Sequence, residues 1–260
     1  MNDISLKIQN LTVEYGNNTV LKNISFEVKK GEVLGIIGPN GGGKTTLLKA
    51  ILGIVPYKTG EIEILGGKIS EKSDLIGYVP QHAEMDKNFP INVLDVVLTG
   101  CIGKGIHPFF GYSKKLRQDA MSALRKVGIE HLASKRINQL SGGQFQRMLI
   151  ARAIVSSPKI LFLDEPTASV DPASRESIYS LLAELKEEMT IIIVSHDLLA
   201  VSSLVESIAC LNGTLVYHGN PELKEQTLDE LYGCPVELIA HGVPHRVLHS
   251  HSHSEGCSHC

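Results

Sequence analysis

The chain has 260 residues, of which 43% are hydrophobic and 20% charged, with a formal net charge of −3. That balance supports one sizeable core with room for an appendage, and the lack of a basic excess argues against a dedicated nucleic-acid binder. The opening MNDISLKIQN lacks a basic-then-apolar leader, no apolar run approaches the ~18 residues of a membrane span, and five cysteines, an odd number with Cys101, Cys210 and Cys234 scattered, point to a reducing compartment rather than a disulfide framework.

In chain order, ISLKIQNLTVEY and TVLKNISFEV alternate with period two around short turns, which predicts antiparallel strands. EVLGIIG is a continuous apolar strand ending in glycine, and KTTLLKAILG predicts a helix closed by Gly53. Residues 61–65 and 75–79 read as short strands. From His82 to Gln139 the texture turns helical in NVLDVVLTG and SKKLRQDAMSALRKVGI, interrupted by GKGIHPFFGYS. An inserted helical subdomain is therefore expected at about 82–155. Beyond it the apolar strands KILFLD and TIIIVS alternate with the helical stretches PASRESIYSLLAELKEE and DLLAVSSL. Strands apolar on both faces belong to a mostly parallel sheet covered by helices. ESIACLNGTLVYHG predicts a terminal hairpin turning at Asn212-Gly213. The expected fold is α/β, with a mostly parallel core sheet, an N-terminal antiparallel β subdomain and the helical insertion. The folded unit is expected over 1–233, followed by a polar extension over 234–260.

Three stretches carry chemistry. Gly38, Pro39, Asn40, Gly41, Gly42, Gly43, Lys44 and Thr45 match G-x-x-x-x-G-K-[ST] between an apolar strand and a helix that continues with Thr46. Backbone N–H groups must approach phosphate oxygens closely, so side chains are absent there. The helix N-terminus adds partial positive charge, Lys44 reaches the β- and γ-phosphates, and the Thr45 hydroxyl suits Mg²⁺. In ILFLDE an apolar strand delivers Asp164 and Glu165 to its carboxyl edge, where ligands of open α/β sheets bind. Asp164 can hold Mg²⁺ through water, and Glu165 can polarise an attacking water. In LSGGQ, Ser141, Gly142, Gly143 and Gln144 open a second helix with exposed N–H groups, a second anion site far along the chain from the first. Two phosphate-binding helix ends in one chain imply a split site clamped between two subunits.

These residues closely resemble the nucleotide-binding subunits of ATP-binding-cassette (ABC) transporters, a P-loop NTPase family, over about residues 4 to 219. The resemblance implies further roles. Tyr15 matches the aromatic that stacks on adenine. Gln81 in YVPQ matches the glutamine that touches Mg²⁺ and couples to the membrane subunits. Ala168 to Asp171 match the loop that contacts the opposite subunit, and His196 matches the histidine that contacts the γ-phosphate. An active ATPase is expected, with ATP and Mg²⁺ as cofactors and Glu165, His196, Lys44 and Gln81 as the catalytic set. Thr45, Gln81 and Asp164 would hold the Mg²⁺. Two copies would form a head-to-tail homodimer, the first site of each facing Ser141 and Gly143 of the other.

By the same resemblance the chain is a cytoplasmic subunit on the inner face of the cell membrane, with integral membrane permease subunits as partners and an extracytoplasmic solute-binding receptor as an indirect one; no nucleic acid is expected. CPVELIAHGVPHRVLHSH resembles the C-terminal extension of zinc and manganese uptake ATPases, and NFPINVLDVVLTG fits the same branch, near iron-chelate and cobalamin importers. Zinc is the favoured cargo and manganese the next. The competing readings are a soluble single-cassette ATPase of metal or iron–sulfur-cluster assembly and the ATPase of an iron-chelate or cobalamin importer. The chain ends in HSHSHSEGCSHC. His249, His251, His253, Cys257, His259 and Cys260 are soft and borderline ligands suited to Zn²⁺ over Mn²⁺. Interleaved serines and Gly256 provide no preformed cage, so ordering would follow binding. The bland reading is an inert solvated end.

Overall fold

The computed structural model describes residues 3–81, 89–101, 112–168, 170–196, 201, 203–221 and 231. The start of the expected helical insertion, most of DLLAVSSL, Ser169 and the ligands His249, His251, His253, Cys257, His259 and Cys260 lie outside the described residues.

The chain opens with β1 (Ile4–Tyr15) and β2 (Asn18–Lys29), followed by β3 (Val33–Ile37), α1 (Lys44–Ile51), β4 (Thr59–Ile64), the single turn α2 (Ile69–Lys72) and β5 (Ile76–Val79). Next come α3 (Val93–Leu98), α4 (Lys114–Lys126) and α5 (Gly142–Ile154). Then follow β6 (Ile160–Asp164), α6 (Pro172–Leu185), β7 (Thr190–Ser195), β8 (Ser207–Asn212) and β9 (Thr214–Gly219). The first sheet has the order β2-β1-β4 and is antiparallel. The second has the order β5-β6-β7-β3-β8-β9, parallel throughout except for the closing β8–β9 hairpin. Helices α3, α4 and α5 thus intervene in sequence between two strands, β5 and β6, that are neighbours in space.

Side-chain alternation explains the layers. Val33 and Ile37 of β3, Leu161 and Leu163 of β6, and Ile191 and Ile193 of β7 point into one core with the faces of α3 to α6. Their neighbours Leu34 and Ile36, Ile160 and Phe162, and Ile192 and Val194 point into a second core with α1 and the antiparallel sheet. A strand buried on both faces has no polar position to spare, which is why these segments read as unbroken apolar runs. Each fully buried Leu, Ile or Phe contributes about 1.5–3 kcal/mol of transfer free energy, so the central strands are strongly held. β1 and β2 have one face on this core and one in water, hence their period-two pattern.

The helices begin where their caps place them. Asn92 Oδ1 accepts the Asp95 N–H at 2.8 Å, Ser113 Oγ the Leu116 N–H at 3.2 Å, and Asp171 Oδ1 the Ser174 N–H at 3.0 Å with Pro172 at the first helical position. Each such cap stabilises its helix by about 1 kcal/mol. No helix among the described residues is long and apolar enough to cross a membrane.

Candidate nucleotide site

Because β6, β7 and β3 run parallel side by side, their carboxyl ends share one edge of the sheet. Out of that edge come Gly38 after β3, Glu165 after Asp164 at the end of β6, and His196 after β7. Ligands of open α/β sheets bind at such an edge.

The loop from Gly38 to Gly43 needs its glycines for space as well as flexibility. A Cβ on Gly38 would stand 2.0 Å from the Leu211 carbonyl oxygen, and one on Gly43, at φ 92°, 2.5 Å from Leu21 Cδ2. The first contact is with backbone and admits no side chain; the second would force the Leu21 side chain to shift. Lys44 opens α1 yet is only 5% exposed, and its Nζ donates to the carbonyls of Gly38 and Pro39, both at 2.9 Å. Burial lowers its pKa, opposed by the negative charges of Glu165 and Asp164. A buried ammonium arched back over its own loop can exchange those carbonyls for phosphate oxygens.

Across the loop, Thr45 Oγ1 donates to Asp164 Oδ1 at 3.2 Å. Asp164 is almost wholly buried. Burial raises its pKa, the Thr45 hydrogen bond opposes that rise, and the charge of Glu165 adds to it. Tyr78, half-buried on β5, is pushed up to about 12 by burial and by the Asp164 charge. The next residue, Glu165, sits at φ 48°, an uncommon backbone state for a non-glycine residue. Its N–H donates to the Val194 carbonyl at 2.9 Å. Its Oε2 accepts from Gln81 Nε2 at 3.2 Å and lies 3.0 Å from His196 Nδ1. Strained backbone at a polar cluster is a recognised mark of a working site.

A cavity of about 220 Å³ gathers Asn40, Gly41, Gly43, Lys44, Thr45 and Thr46 on one side with Gln81 and Glu165 on the other. Asp164 and His196 join the cluster through Thr45 and Glu165. Tyr15, at the end of β1, is 49% exposed and not among the residues lining this cavity. Nor are Ser141, Gly142, Gly143 and Gln144. Ser141 caps α5 in a reciprocal box, its Oγ accepting the Gln144 N–H at 3.3 Å while Gln144 Oε1 accepts the Ser141 N–H at 3.1 Å. A Cβ on Gly143 would meet Ser174 Oγ at 2.6 Å, so this glycine is needed where α5 starts beside α6.

One part of the site was not anticipated from sequence. The tip of the β8–β9 hairpin forms the outer wall of the loop. Gly213 N–H donates to the Gly42 carbonyl at 3.0 Å, Lys22 N–H donates to the Gly213 carbonyl at 2.8 Å, and the Leu211 carbonyl closes over Gly38. The Asn212-Gly213 turn was the only signal available, and a turn signal says nothing about what the turn touches.

The profile of the ABC transporter family matches residues 21–168. Among curated relatives, the manganese transport system ATP-binding protein MntB of Bacillus subtilis is 41% identical over 235 residues, covering 88% of this chain and 92% of that protein. The zinc uptake system ATP-binding protein ZurA of Listeria monocytogenes is 40% identical over 221 residues, covering 83% and 85%. Among solved structures, the ADP conformation of MJ1267, an ATP-binding cassette of an ABC transporter, superposes with a TM-score of 0.75 at 27% identity, covering 88% of this chain and 94% of that one. The chain therefore belongs to the ABC transporter family, as an ATP-binding cassette with ATPase activity.

Proposed function

We propose that this chain is the ATP-hydrolysing subunit of an importer of a divalent metal ion, working as a dimer beneath separate permease subunits at the inner face of the cell membrane. The observation that carries it is the convergence of Gln81 and His196 on one carboxylate oxygen of Glu165, beside the loop of Lys44 and Thr45. In this reading Lys44, Thr46 and the loop amides from Gly38 to Gly43 bind the phosphates, and Tyr15 stacks on adenine. Glu165 takes the proton of the attacking water, and His196 orients Glu165 and meets the γ-phosphate. The buried Asp164 carboxylate, the Thr45 hydroxyl and the Gln81 carbonyl are hard oxygen donors of the kind Mg²⁺ takes, and Mg²⁺ there would offset phosphate charge. Ser141, Gly142, Gly143 and Gln144 meet the γ-phosphate held by the partner copy. Their place outside the cavity of their own chain fits a site completed in trans.

The cargo reading rests on the relatives, one named for manganese and one for zinc. Within that pair, the C-terminal Cys257 and Cys260 with His249, His251, His253 and His259 favour zinc, since thiolate and imidazole suit Zn²⁺ and oxygen ligands suit Mn²⁺. We place the cassette at residues 1–233, with the helical insertion at about 82–155, and the metal-handling extension at 234–260. An extracytoplasmic receptor would hand metal to the permease. The test is uptake of zinc and manganese in cells with and without this chain. Loss of zinc uptake on deletion, restored by the wild-type chain and not by Glu165→Gln, is expected. Unchanged uptake of both metals overturns the cargo assignment.

A further inference from the structure

The hairpin tip that walls the phosphate loop is itself held from outside. Asn212 Nδ2 donates to the Leu231 carbonyl at 3.1 Å. Leu231 is fully buried, in the same core as Ile37 and Cys210, which pair near the carboxyl ends of β3 and β8. A continuous set of bonds therefore runs from Leu231 to Asn212, through the next peptide to Gly213, and from Gly213 N–H to the Gly42 carbonyl in the loop. The Leu211 carbonyl on the other side of Asn212 presses on Gly38 and Gly42.

Turn chemistry does not account for Asn212. Asparagine is favoured in such turns because it tolerates positive φ. Here Gly213 takes that conformation, at φ 68°, and Asn212 is not among the positive-φ residues. Its side-chain amide is committed to Leu231 instead.

We infer that Asn212 is a positioning residue for the phosphate loop, its bond to the Leu231 carbonyl fixing the hairpin tip and so the affinity of the loop for nucleotide phosphates. The physical reason is pre-organisation. Loop amides bind phosphate well only if they already point at it, and the Gly42 peptide is oriented by the Gly213 N–H. Releasing the hairpin tip lets that peptide rotate, which weakens binding without touching Glu165 or His196. The inference rests on the loop being the nucleotide site.

The discriminating variant is Asn212→Asp in the full chain. Aspartate keeps the turn preference of asparagine, but an ionised carboxylate cannot donate to the Leu231 carbonyl. The Kd of a fluorescent MgADP analogue and the KM and kcat for ATP are measured for wild type, Asn212→Asp, Leu231→Ala and the double variant. The expected result is a rise in Kd and KM of about two- to tenfold, the net worth of one hydrogen bond, with kcat within about twofold of wild type. Because both residues act through one route, the double variant is expected to match the worse single variant. Wild-type Kd and KM in Asn212→Asp overturn the inference, as does a fall in kcat with KM unchanged. Lys44→Ala serves as the control: if it binds nucleotide normally, the loop assignment itself is wrong, whereas loss of binding there with no effect at Asn212 sinks only the positioning role.

Discussion

Nδ1 of His196 lies 3.0 Å from Oε2 of Glu165, the oxygen that also accepts from Gln81. A carboxylate held between two side chains from different loops has its orientation set before any substrate arrives. That is what a general base needs, since its contribution depends on geometry first and basicity second. Replacing Glu165 with Gln keeps the shape and removes the basicity. Hydrolysis is expected to fall by about 10²–10⁴-fold, with nucleotide affinity retained and an ATP-bound dimer appearing on gel filtration. Wild-type turnover in that variant would exclude Glu165 as the base.

Lys44→Ala removes the ammonium that now donates to the Gly38 and Pro39 carbonyls. MgATP affinity is expected to drop at least tenfold, in line with about 1.5–3 kcal/mol for a hydrogen bond to a charged group. Tyr15→Ala, at an exposed position, is expected to cost only the proposed stacking on adenine, about 1–3 kcal/mol in comparable base contacts. Isothermal titration with a non-hydrolysable ATP analogue separates the two effects.

Asp164 is expected to oppose stability at neutral pH. Burial raises its pKa, so between its unfolded and folded pKa the native state holds the extra proton, and stability falls as pH rises through that window. Above the window a buried carboxylate stays charged at a cost. Asp164→Asn is therefore expected to raise Tm at pH 7, while lowering ATPase activity through loss of a proposed Mg²⁺ ligand. The gain in Tm is expected to vanish below the ordinary Asp pKa of 3.8, where the wild-type group is protonated in both states. Equal Tm for the two chains at pH 7 would contradict the burial argument.

Gly38→Ala places a methyl where the Leu211 carbonyl already stands, 2.0 Å away. The backbone has to move, and overpacking of this kind costs about 1–3 kcal/mol. The loop or the hairpin tip must give way, so both Tm and nucleotide affinity are expected to fall. Gly41→Ala, with nothing within 4 Å of its Cβ but a φ of 80°, carries strain without a clash and is expected to cost less. Chemical denaturation of the two variants checks the order.

The tail prediction is read by zinc titration. The full chain is expected to bind more Zn²⁺ than a chain ending at Val247, to prefer Zn²⁺ over Mn²⁺, and to hydrolyse ATP at the same rate in the absence of added zinc. Equal zinc stoichiometry in the two chains leaves the histidines and cysteines as an inert end.

Much of this architecture was legible because its signals are local. The alternation in β1 and β2, the unbroken apolar runs of β3, β6 and β7, and the glycines before Lys44 each record an environment a few residues wide. Pairing is not local. The strand expected at 61–65 is found at Thr59–Ile64, but nothing in TGEIEI says that it joins β1 rather than the parallel sheet; that follows from the register Leu6 to Ile64 across the chain. The one-turn α2 is too short to show a period. The resemblance put Gln81 and Glu165 in one site, but the hydrogen bond between them, 84 residues apart, was not expected, because sequence spacing alone does not place a side chain across a sheet edge. The Gly213 contact with Gly42 had no resemblance to lean on and was missed.

The double burial of β3, β6 and β7 has a consequence for which changes this molecule can absorb. Gly38, Asp164 and His196 are launched from three adjacent strands whose side chains are wedged from above and below. A substitution at Phe162 or Ile192 therefore cannot be relieved by a local shuffle, since sliding one strand drags its launch point away from the other two. Substitutions are expected to be absorbed best at places that carry no launch point, such as the exposed positions of α4, α6 and β2. A library scan scored by ATPase rate, not only by folding, would show tolerance switching on and off along each central strand according to distance from its carboxyl end, where a displacement too small to unfold the chain is already large enough to misalign the site.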